Sequence, residues 1–469
     1  MPAFDPDGPP DPRRWALERS LSCGLVETDS GGAVVPAAAS TLAVSADSLV
    51  YTFRLRPELA YVDGSPCRSQ DFALALKAGL ARADHSTRLW QLAAVTGAER
   101  VRAGRPLPAL GIETPDDRTL VVRLAVADPL FLRKLAIPGT GWAWKRREAR
   151  GWSDAVGLGP FRVWAGDTAS RLVLVRSGDS LAGRGVTADT LTLRFLPGAA
   201  RVRSLLRAGR PEIVWPLPPG LLAETLPPGY RVVARAAVPA RRLVLVMRAD
   251  LPPTTRLAAR RALGHGVNRS AVLRALGPAA GGVEAWIPGA PPFDFPRLDQ
   301  QAIEMWRERG KLGRSFHVVM VYDANGVAAE VARVLQGEWA THSIYVELLP
   351  LTGRRLRAEF LAPTRSHLVL GDLGDLLDAP AGVLASLFMP LRGPAVGGIR
   401  AGWRTREFDA WILPRRSLVP FDPVPAQRRL EEEGVILPIA RLPWLWVERA
   451  GGPAAPFRPD RGPDCPPPP

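Results

Sequence analysis

The chain has 469 residues, a formal net charge of +15 and an apolar content of 46%. That length and apolar content exclude a wholly disordered chain and leave room for two or three lobes around a large core. The positive charge is almost all arginine, scattered as pairs such as Arg146-Arg147, Arg260-Arg261, Arg354-Arg355 and Arg415-Arg416; without a dense basic stripe carrying stacking aromatics, it excludes a nucleic-acid footprint. Three cysteines, Cys23, Cys67 and Cys465, cannot make a disulfide framework. No apolar run is long enough to cross a bilayer. The opening Met1-Pro2-Ala3-Phe4 lacks the basic stretch and apolar core of a signal peptide.

In chain order, Trp15, Leu17, Leu21 and Leu25 recur at near-helical spacing and predict a helix over 14–25. Residues 25–27 and 34–36 read as short extended pieces around a Ser30-Gly31-Gly32 turn, and 37–44 as a small connecting segment. Tyr51, Phe53 and Leu55 alternate with Thr52 and Arg54, the period of a strand. After the Asp63-Gly64-Ser65-Pro66 turn, Ser69 is expected to cap a helix whose buried stripe is Phe72, Leu76 and Leu80, with Asp71 in its first turn. Residues 112–126 read as a hairpin turning at Asp116-Asp117, and 129–135 as a short helix.

Val156-Gly157-Leu158-Gly159-Pro160-Phe161 is a glycine-rich approach to a strand; it has neither the lysine nor the helix start of a phosphate loop. Strands are expected at 161–164, 171–176, 191–196, 231–237, 243–247, 316–321 and 344–349, with a helix at 202–208. Residues 256–276 read as helix broken near Gly264-His265-Gly266, with Asn268 capping the second half. Helices follow at 301–309, 327–339 and 428–433, then an extended run over 435–447. The proline-rich remainder is expected to be irregular. The fold class is α/β with more than one sheet.

One acidic stretch stands out. Leu368-Val369-Leu370 reads as a buried strand, and Gly371-Asp372-Leu373-Gly374-Asp375-Leu376-Leu377-Asp378-Ala379-Pro380 follows it as a loop. Loops at the carboxyl ends of strands are where α/β proteins place ligand contacts. A carboxylate partly desolvated there suits a ligand's ammonium group. The same stretch also fits a solvated turn that caps the next helix, and spacing alone does not choose between the two.

The order of the pieces resembles the family 5 extracellular solute-binding proteins, the oligopeptide, dipeptide and nickel receptors of ABC importers. The residues that carry the likeness are Phe4-Asp5-Pro6, Gly24-Leu25-Val26-Glu27, Val35-Pro36, Tyr51-Thr52-Phe53-Arg54-Leu55-Arg56, Asp63-Gly64-Ser65-Pro66, Asp71-Phe72, Gly157-Leu158-Gly159-Pro160-Phe161, Arg261-Ala262-Leu263, Asn268-Arg269 and Phe408-Asp409. Each is weak alone, and the ordered set is strong. The resemblance implies a two-lobed periplasmic-binding-protein-like fold (type II, cluster C) that closes on ligand like a hinge, with an extra subdomain inserted in lobe I. Lobe I would comprise 1–27, 152–240 and 436–457, the insert 28–151, lobe II 241–435, and 458–469 a proline-rich tail.

In peptide-binding members, an aspartate in a Gly-Trp-x-x-Asp-x-x-Asp-Pro stretch holds the ligand's α-amino group. Gly371, Asp375 and Asp378 fall on that pattern, with Asp375 on the ligating position and Asp372 beside it. Two departures bear on the ligand class: Asp372 stands where the pattern has tryptophan, and Ala379 separates Asp378 from Pro380. Cys23, Gly24 and Leu25 occupy the family's crossover into the cleft, although by itself Cys23 reads as an ordinary buried cysteine. The implied protein is a monomer that takes a peptide or other small solute and passes it to ABC permease subunits outside the cytoplasmic membrane. It needs neither cofactor nor metal. Cytoplasmic ligand-sensing domains of regulators share this fold and are the alternative.

A hydrolase is the competing class. His85, His265, His317, His342 and His367 show no metal-ligand spacing, and no Gly-x-Ser-x-Gly elbow is present. Asp372, Asp375 and Asp378 do not have the spacing of a calcium loop. No catalytic residue is assigned.

Overall fold

A computed structural model describes most of the chain between Pro12 and Ala450; residues 1–11, 82–89, 101–109, 146–150, 178–185, 375–381, 385–421 and 451–469, with several shorter segments, lie outside the described residues. The chain starts with α1 (Pro12–Leu21) and the hairpin β1 (Val26–Thr28) and β2 (Val34–Pro36). A four-stranded sheet follows, ordered β3-β4-β6-β5, from β3 (Ala39–Val44), β4 (Val50–Leu55), β5 (Ile112–Asp116) and β6 (Thr119–Arg123). Helix α2 (Ser69–Ala81) packs on this sheet, and α3 (Phe131–Leu135) comes after it.

The alternation in β4 does what its period requires: Tyr51, Phe53 and Leu55 are buried while Arg54 is exposed. Its neighbour β3 corrects the expectation of a mere connector at 37–44. Small and polar residues gave no strong period there, and the ladder supplied by β4 fixes the strand. Helix α1 stops at Leu21, short of the expected 25, because Gly24 and Leu25 already carry the carbonyls that pair with 37–39.

The start of α2 is capped differently from expectation. The Ser69 hydroxyl donates to the Asp116 carbonyl at 2.5 Å, tying the helix to the β5–β6 turn. It is Asp71 that accepts the Arg68 N–H, at 2.8 Å.

A second sheet, ordered β7-β8-β9, comprises β7 (Phe161–Asp167), β8 (Arg171–Arg176) and β9 (Thr190–Arg194). Its core joins Leu17 and Leu21 of α1 to Trp142, Trp144, Trp152, Phe161, Leu172 and Leu174. The glycine motif before β7 has a packing cause. A Cβ on Gly157 would lie 2.2 Å from the Leu21 carbonyl oxygen, and one on Gly159 2.4 Å from the Leu21 carbonyl carbon. Gly159 N–H donates to that Leu21 oxygen at 3.0 Å, and the Ser22 hydroxyl donates to Ala143 O at 3.0 Å. The motif is therefore a backbone-on-backbone clamp.

Helix α4 (Ala199–Arg207) leads into a three-stranded sheet, β10-β17-β11, made of β10 (Ile213–Val214), β11 (Tyr230–Arg235) and β17 (Trp444–Arg449). The largest sheet has the order β14-β13-β15-β12-β16, from β12 (Arg241–Met247), β13 (Phe316–Asp323), β14 (Ile344–Leu351), β15 (Leu368–Gly374) and β16 (Ile436–Leu442). Strands β14, β13 and β15 run parallel, and β12 is antiparallel to both β15 and β16.

Five helices accompany this sheet, α5 (Leu257–His265), α6 (Arg269–Leu276), α7 (Gln300–Arg309), α8 (Ala328–Ala340) and α9 (Pro423–Glu433); α8 packs on β13, β14 and β15, α6 on β16, and α7 on α5. The expected break between α5 and α6 is present. The Asn268 side chain accepts from Ala271 N–H at 3.1 Å as its N-cap. At the break a Cβ on Gly266 would lie 2.6 Å from Trp339, whose indole N–H donates to Leu263 O at 3.0 Å. The expected single run over 435–447 is instead two strands, β16 and β17, in two different sheets.

Candidate functional site

The site is built where two sheets meet. Strand β12 is the next strand in the chain after β11, and β17 the next after β16. The pairs stay together on both sides of the passage: Arg235 faces Trp444 at the end of the β11–β17 ladder, and Arg241 faces Leu442 at the start of the β12–β16 ladder. The same two stretches of chain are thus paired in both the three-stranded and the five-stranded sheet. Such short connections absorb the backbone rotation when two bodies swing relative to each other. The passage falls after Leu442, so β16 lies in the five-stranded sheet, although the sequence reading gives 436–457 wholly to lobe I. Its partner there is β12, remote in sequence.

Strand β15 borders this passage. It lies beside β12 with Gly374 opposite Arg241, Leu373 opposite Arg242, Asp372 opposite Leu243 and Gly371 opposite Val244. The strand therefore runs four residues past Leu370, correcting the expectation that a loop begins at Gly371. Glycine and aspartate are poor strand formers, and the cross-strand ladder overrides that preference. Asp372 is thus a strand residue. Asp375 and Asp378 follow immediately after Gly374, outside the described residues.

Cys23, Gly24 and Leu25 are packed elements of the core. Gly24 allows close approach of Trp142, since a Cβ would lie 2.6 Å from the indole nitrogen. Its carbonyl accepts Ala38 N–H at 3.0 Å, and the Leu25 carbonyl accepts from Ala37 and Ala39 at 3.0 and 3.2 Å. Leu25 is fully buried, and the half-buried Cys23 packs against the same core. Two residues on, burial raises the Glu27 carboxyl above the usual carboxylate range, opposed by Arg19 and Arg56.

The described histidines hold the fold together. His367 Nδ1 accepts Val319 N–H at 3.0 Å and its Nε2 lies 2.9 Å from the Pro252 carbonyl, which fixes the Nε2-protonated tautomer. Burial lowers its pKa, against the Pro252 hydrogen bond. His265 Nδ1 is 2.9 Å from Arg297 O, His342 pairs with Gln300, and His317 stacks on Tyr345. Among the described residues no group of three histidines, cysteines or carboxylates could hold a metal ion.

One charged pair is made by register alone, Arg242 and Arg441. They lie opposite each other on β12 and β16, next to the passage between sheets. Only the register joins them, so no local motif could have found the pair.

The chain matches known proteins along most of its length. The family described as bacterial extracellular solute-binding proteins, family 5 Middle, matches residues 33–383. The periplasmic oligopeptide-binding protein OppA of Escherichia coli (strain K12) is 30% identical over 127 residues, which are 26% of this chain and 23% of that protein. A dipeptide-binding protein of Lactococcus lactis subsp. cremoris (strain MG1363) is 32% identical over 116 residues, 24% of this chain and 21% of that protein. These matches thus span less than a quarter of either relative's length. The solved structure of the pheromone receptor PrgZ superposes with a TM-score of 0.81 over 96% of this chain and 93% of that one, at 15% identity. That likeness establishes the fold, a two-lobed α/β architecture of the periplasmic binding-protein type.

Proposed function

We propose that this chain, which belongs to family 5 of the bacterial extracellular solute-binding proteins, captures a peptide or similar small solute between its two lobes and delivers it unchanged to the permease subunits of an ABC importer. The observation that carries this reading is the paired passage of β11 into β12 and of β16 into β17, a ribbon on which two lobes can close. The lobes divide at that ribbon. Lobe I takes 1–27, 152–240 and the chain from Trp444, 28–151 is an inserted subdomain, and lobe II takes 241–442.

Asp375 holds the cationic end of the solute, with Asp372 and Asp378 flanking it. Support comes from the backbone: β15 ends at Gly374, beside Arg241, where the ribbon leaves the sheet. A cleft closing there excludes water, so a charge pair inside it is less screened than one on the surface. Cys23, Gly24 and Leu25 contribute by fixing the entry of lobe I. The protein acts as a monomer outside the cytoplasmic membrane. Among the described residues no helix is long and apolar enough to cross a membrane, and an in-frame export signal in the genomic sequence upstream of Met1 is the expected finding.

The test is incubation with a peptide library followed by mass spectrometry. Stoichiometric retention of intact peptides is expected. Catalytic turnover of the peptides, or failure to retain any, contradicts the reading.

A further inference from the structure

We propose that the outer face of the β7-β8-β9 sheet is a docking surface for an anionic phospholipid bilayer. Docking of this kind is independent of what the cleft binds. The sheet has one packed face and one open face. Phe161, Leu172 and Leu174 point into the core that also holds Trp142, Trp144 and Trp152. The alternation of a strand sends their neighbours to the other side. There the register aligns Arg162 with Val175, Ala165 with Val173, and Asp167 with Arg171 and then Arg194. Val173 and Val175 are half-buried and join none of the hydrophobic clusters formed by the described residues.

A β-bulge adds a tryptophan to this face. The β7–β8 register shifts between Val163 and Ala165, which leaves Trp164 as the extra residue, between the Val175 row and the Val173 row. Its side chain is 65% exposed, the most exposed of the large apolar side chains described. The Arg162 guanidinium lies 5.1 Å from the centre of its ring, so both side chains share the face. An exposed tryptophan next to two valines that no core covers marks a surface that meets a partner.

The charge on this face is one-sided. Arg162 stands at one end, and Arg171 and Arg194 stand side by side at the other, all three exposed. Asp167 is the single acidic position in these rows. The Val175 and Arg171 rows are about 13 Å apart along the strand, so guanidinium groups flank an apolar middle. That order of groups suits a bilayer interface. Tryptophan settles at the depth of the headgroups, and arginine forks match phosphate oxygens. The formal charge of +15 draws the whole molecule to the same surface. A nucleic-acid strand fits less well, because a single ring offers no platform on which successive bases stack.

The test is co-sedimentation of the full chain with vesicles of phosphatidylcholine alone and of equal parts phosphatidylcholine and phosphatidylglycerol, at low and high salt. Wild type is expected to partition onto the anionic vesicles at least about twentyfold more strongly than onto the neutral ones, and to lose most of that preference at high salt. Arg171→Gln combined with Arg194→Gln is expected to weaken the anionic partition about twentyfold, at about fivefold per arginine. Arg274→Gln combined with Arg333→Gln removes the same charge from exposed positions on α6 and α8, and is expected to weaken it by less than about twofold. Trp164→Ala is expected to weaken it several-fold. All these positions are exposed, and thermal melts check that each variant folds. Equal partition of wild type onto both vesicles, or an undiminished partition in the Arg171 and Arg194 double variant, overturns the docking surface. Equal losses in the two double variants overturn it as well, by reducing the effect to net charge. Retention of a single-stranded oligonucleotide that the Arg171 and Arg194 double variant abolishes, without vesicle binding, overturns it in favour of nucleic acid.

Discussion

Two regions of this protein bury a charged side chain, and they do so in different ways. Near α3, Lys134 Nζ lies 2.7 Å from Asp128 Oδ2, with the two side chains 2% and 5% exposed. The ammonium sits 4.5 Å over the Trp90 ring, and Asp128 also accepts Leu130 N–H at 3.0 Å. All but the tryptophan come from one helix and its approach, so the pair is complete as soon as that turn forms. At the end of the five-stranded sheet, the buried Arg242 of β12 stands in register with the exposed Arg441 of β16, two strands far apart in sequence. A pair closed within one turn concerns stability. A pair made only by register belongs to the junction between the two sheets.

The largest expected effect tests the first half of that contrast. Lys134→Met leaves Asp128 buried without its partner, which costs about 3–5 kcal/mol of stability. Thermal melts should register the loss, while peptide retention by the folded protein stays unchanged. Burial already holds the Lys134 ammonium below its usual pKa, with Asp128 opposing. A loss of binding without a loss of stability would place this pair in the functional machinery instead.

Asp375→Asn addresses the other half. It keeps the shape and removes the charge, and truncating one partner of a desolvated pair typically costs about 2–5 kcal/mol in binding. Calorimetric titration with a retained cationic peptide should show that fall while the melt is unmoved. Asp372→Asn should matter less, since Asp372 lies within the ladder opposite Leu243. Unchanged affinity in Asp375→Asn returns the acidic stretch to a solvated turn.

Two smaller effects sharpen the comparison by lying outside both regions. Gly159→Ala drives a methyl into the Leu21–Ser22 backbone, with 2.4 Å to the Leu21 carbonyl carbon. Overpacking of this kind costs about 1–3 kcal/mol, read as a lower denaturant midpoint with unaltered binding. The smallest effect concerns Asp63. Its partial burial would raise the pKa, but hydrogen bonds from Lys145 and Ser65 outweigh that and hold it at about 2. A folded-state pKa below the unfolded value gives stability that is present above about pH 4 and lost as the pH falls towards 2. Because the pair is more than a third exposed, the worth is under about 1 kcal/mol. Asp63→Asn should lower stability at neutral pH by under about 1 kcal/mol and flatten the acid limb, so that the difference from wild type vanishes as the pH falls towards 2.

What the sequence revealed divides along the same line. Local chemistry was legible: the alternation of Tyr51, Phe53 and Leu55, the Asn268 cap and the Asp116-Asp117 turn each follow from a few adjacent residues. Non-local pairing was not. Strand β3 and the last four residues of β15 exist because β4 and β12 supply ladders to poor strand formers. The run after Val435 contains the signal for its own division, Pro443, yet only the register shows that it changes sheets. The acidic stretch could be found from composition, while its neighbours Arg242 and Arg441 needed the fold to bring them together.

The central claim is that two lobes close on a solute about the β11–β12 and β16–β17 ribbon. Small-angle X-ray scattering on the protein alone and with a saturating, retained peptide mixture tests it most directly. The account predicts a smaller radius of gyration with the peptide bound, and no such change in Asp375→Asn at the same peptide concentration. An identical radius with and without stoichiometrically bound peptide would contradict it.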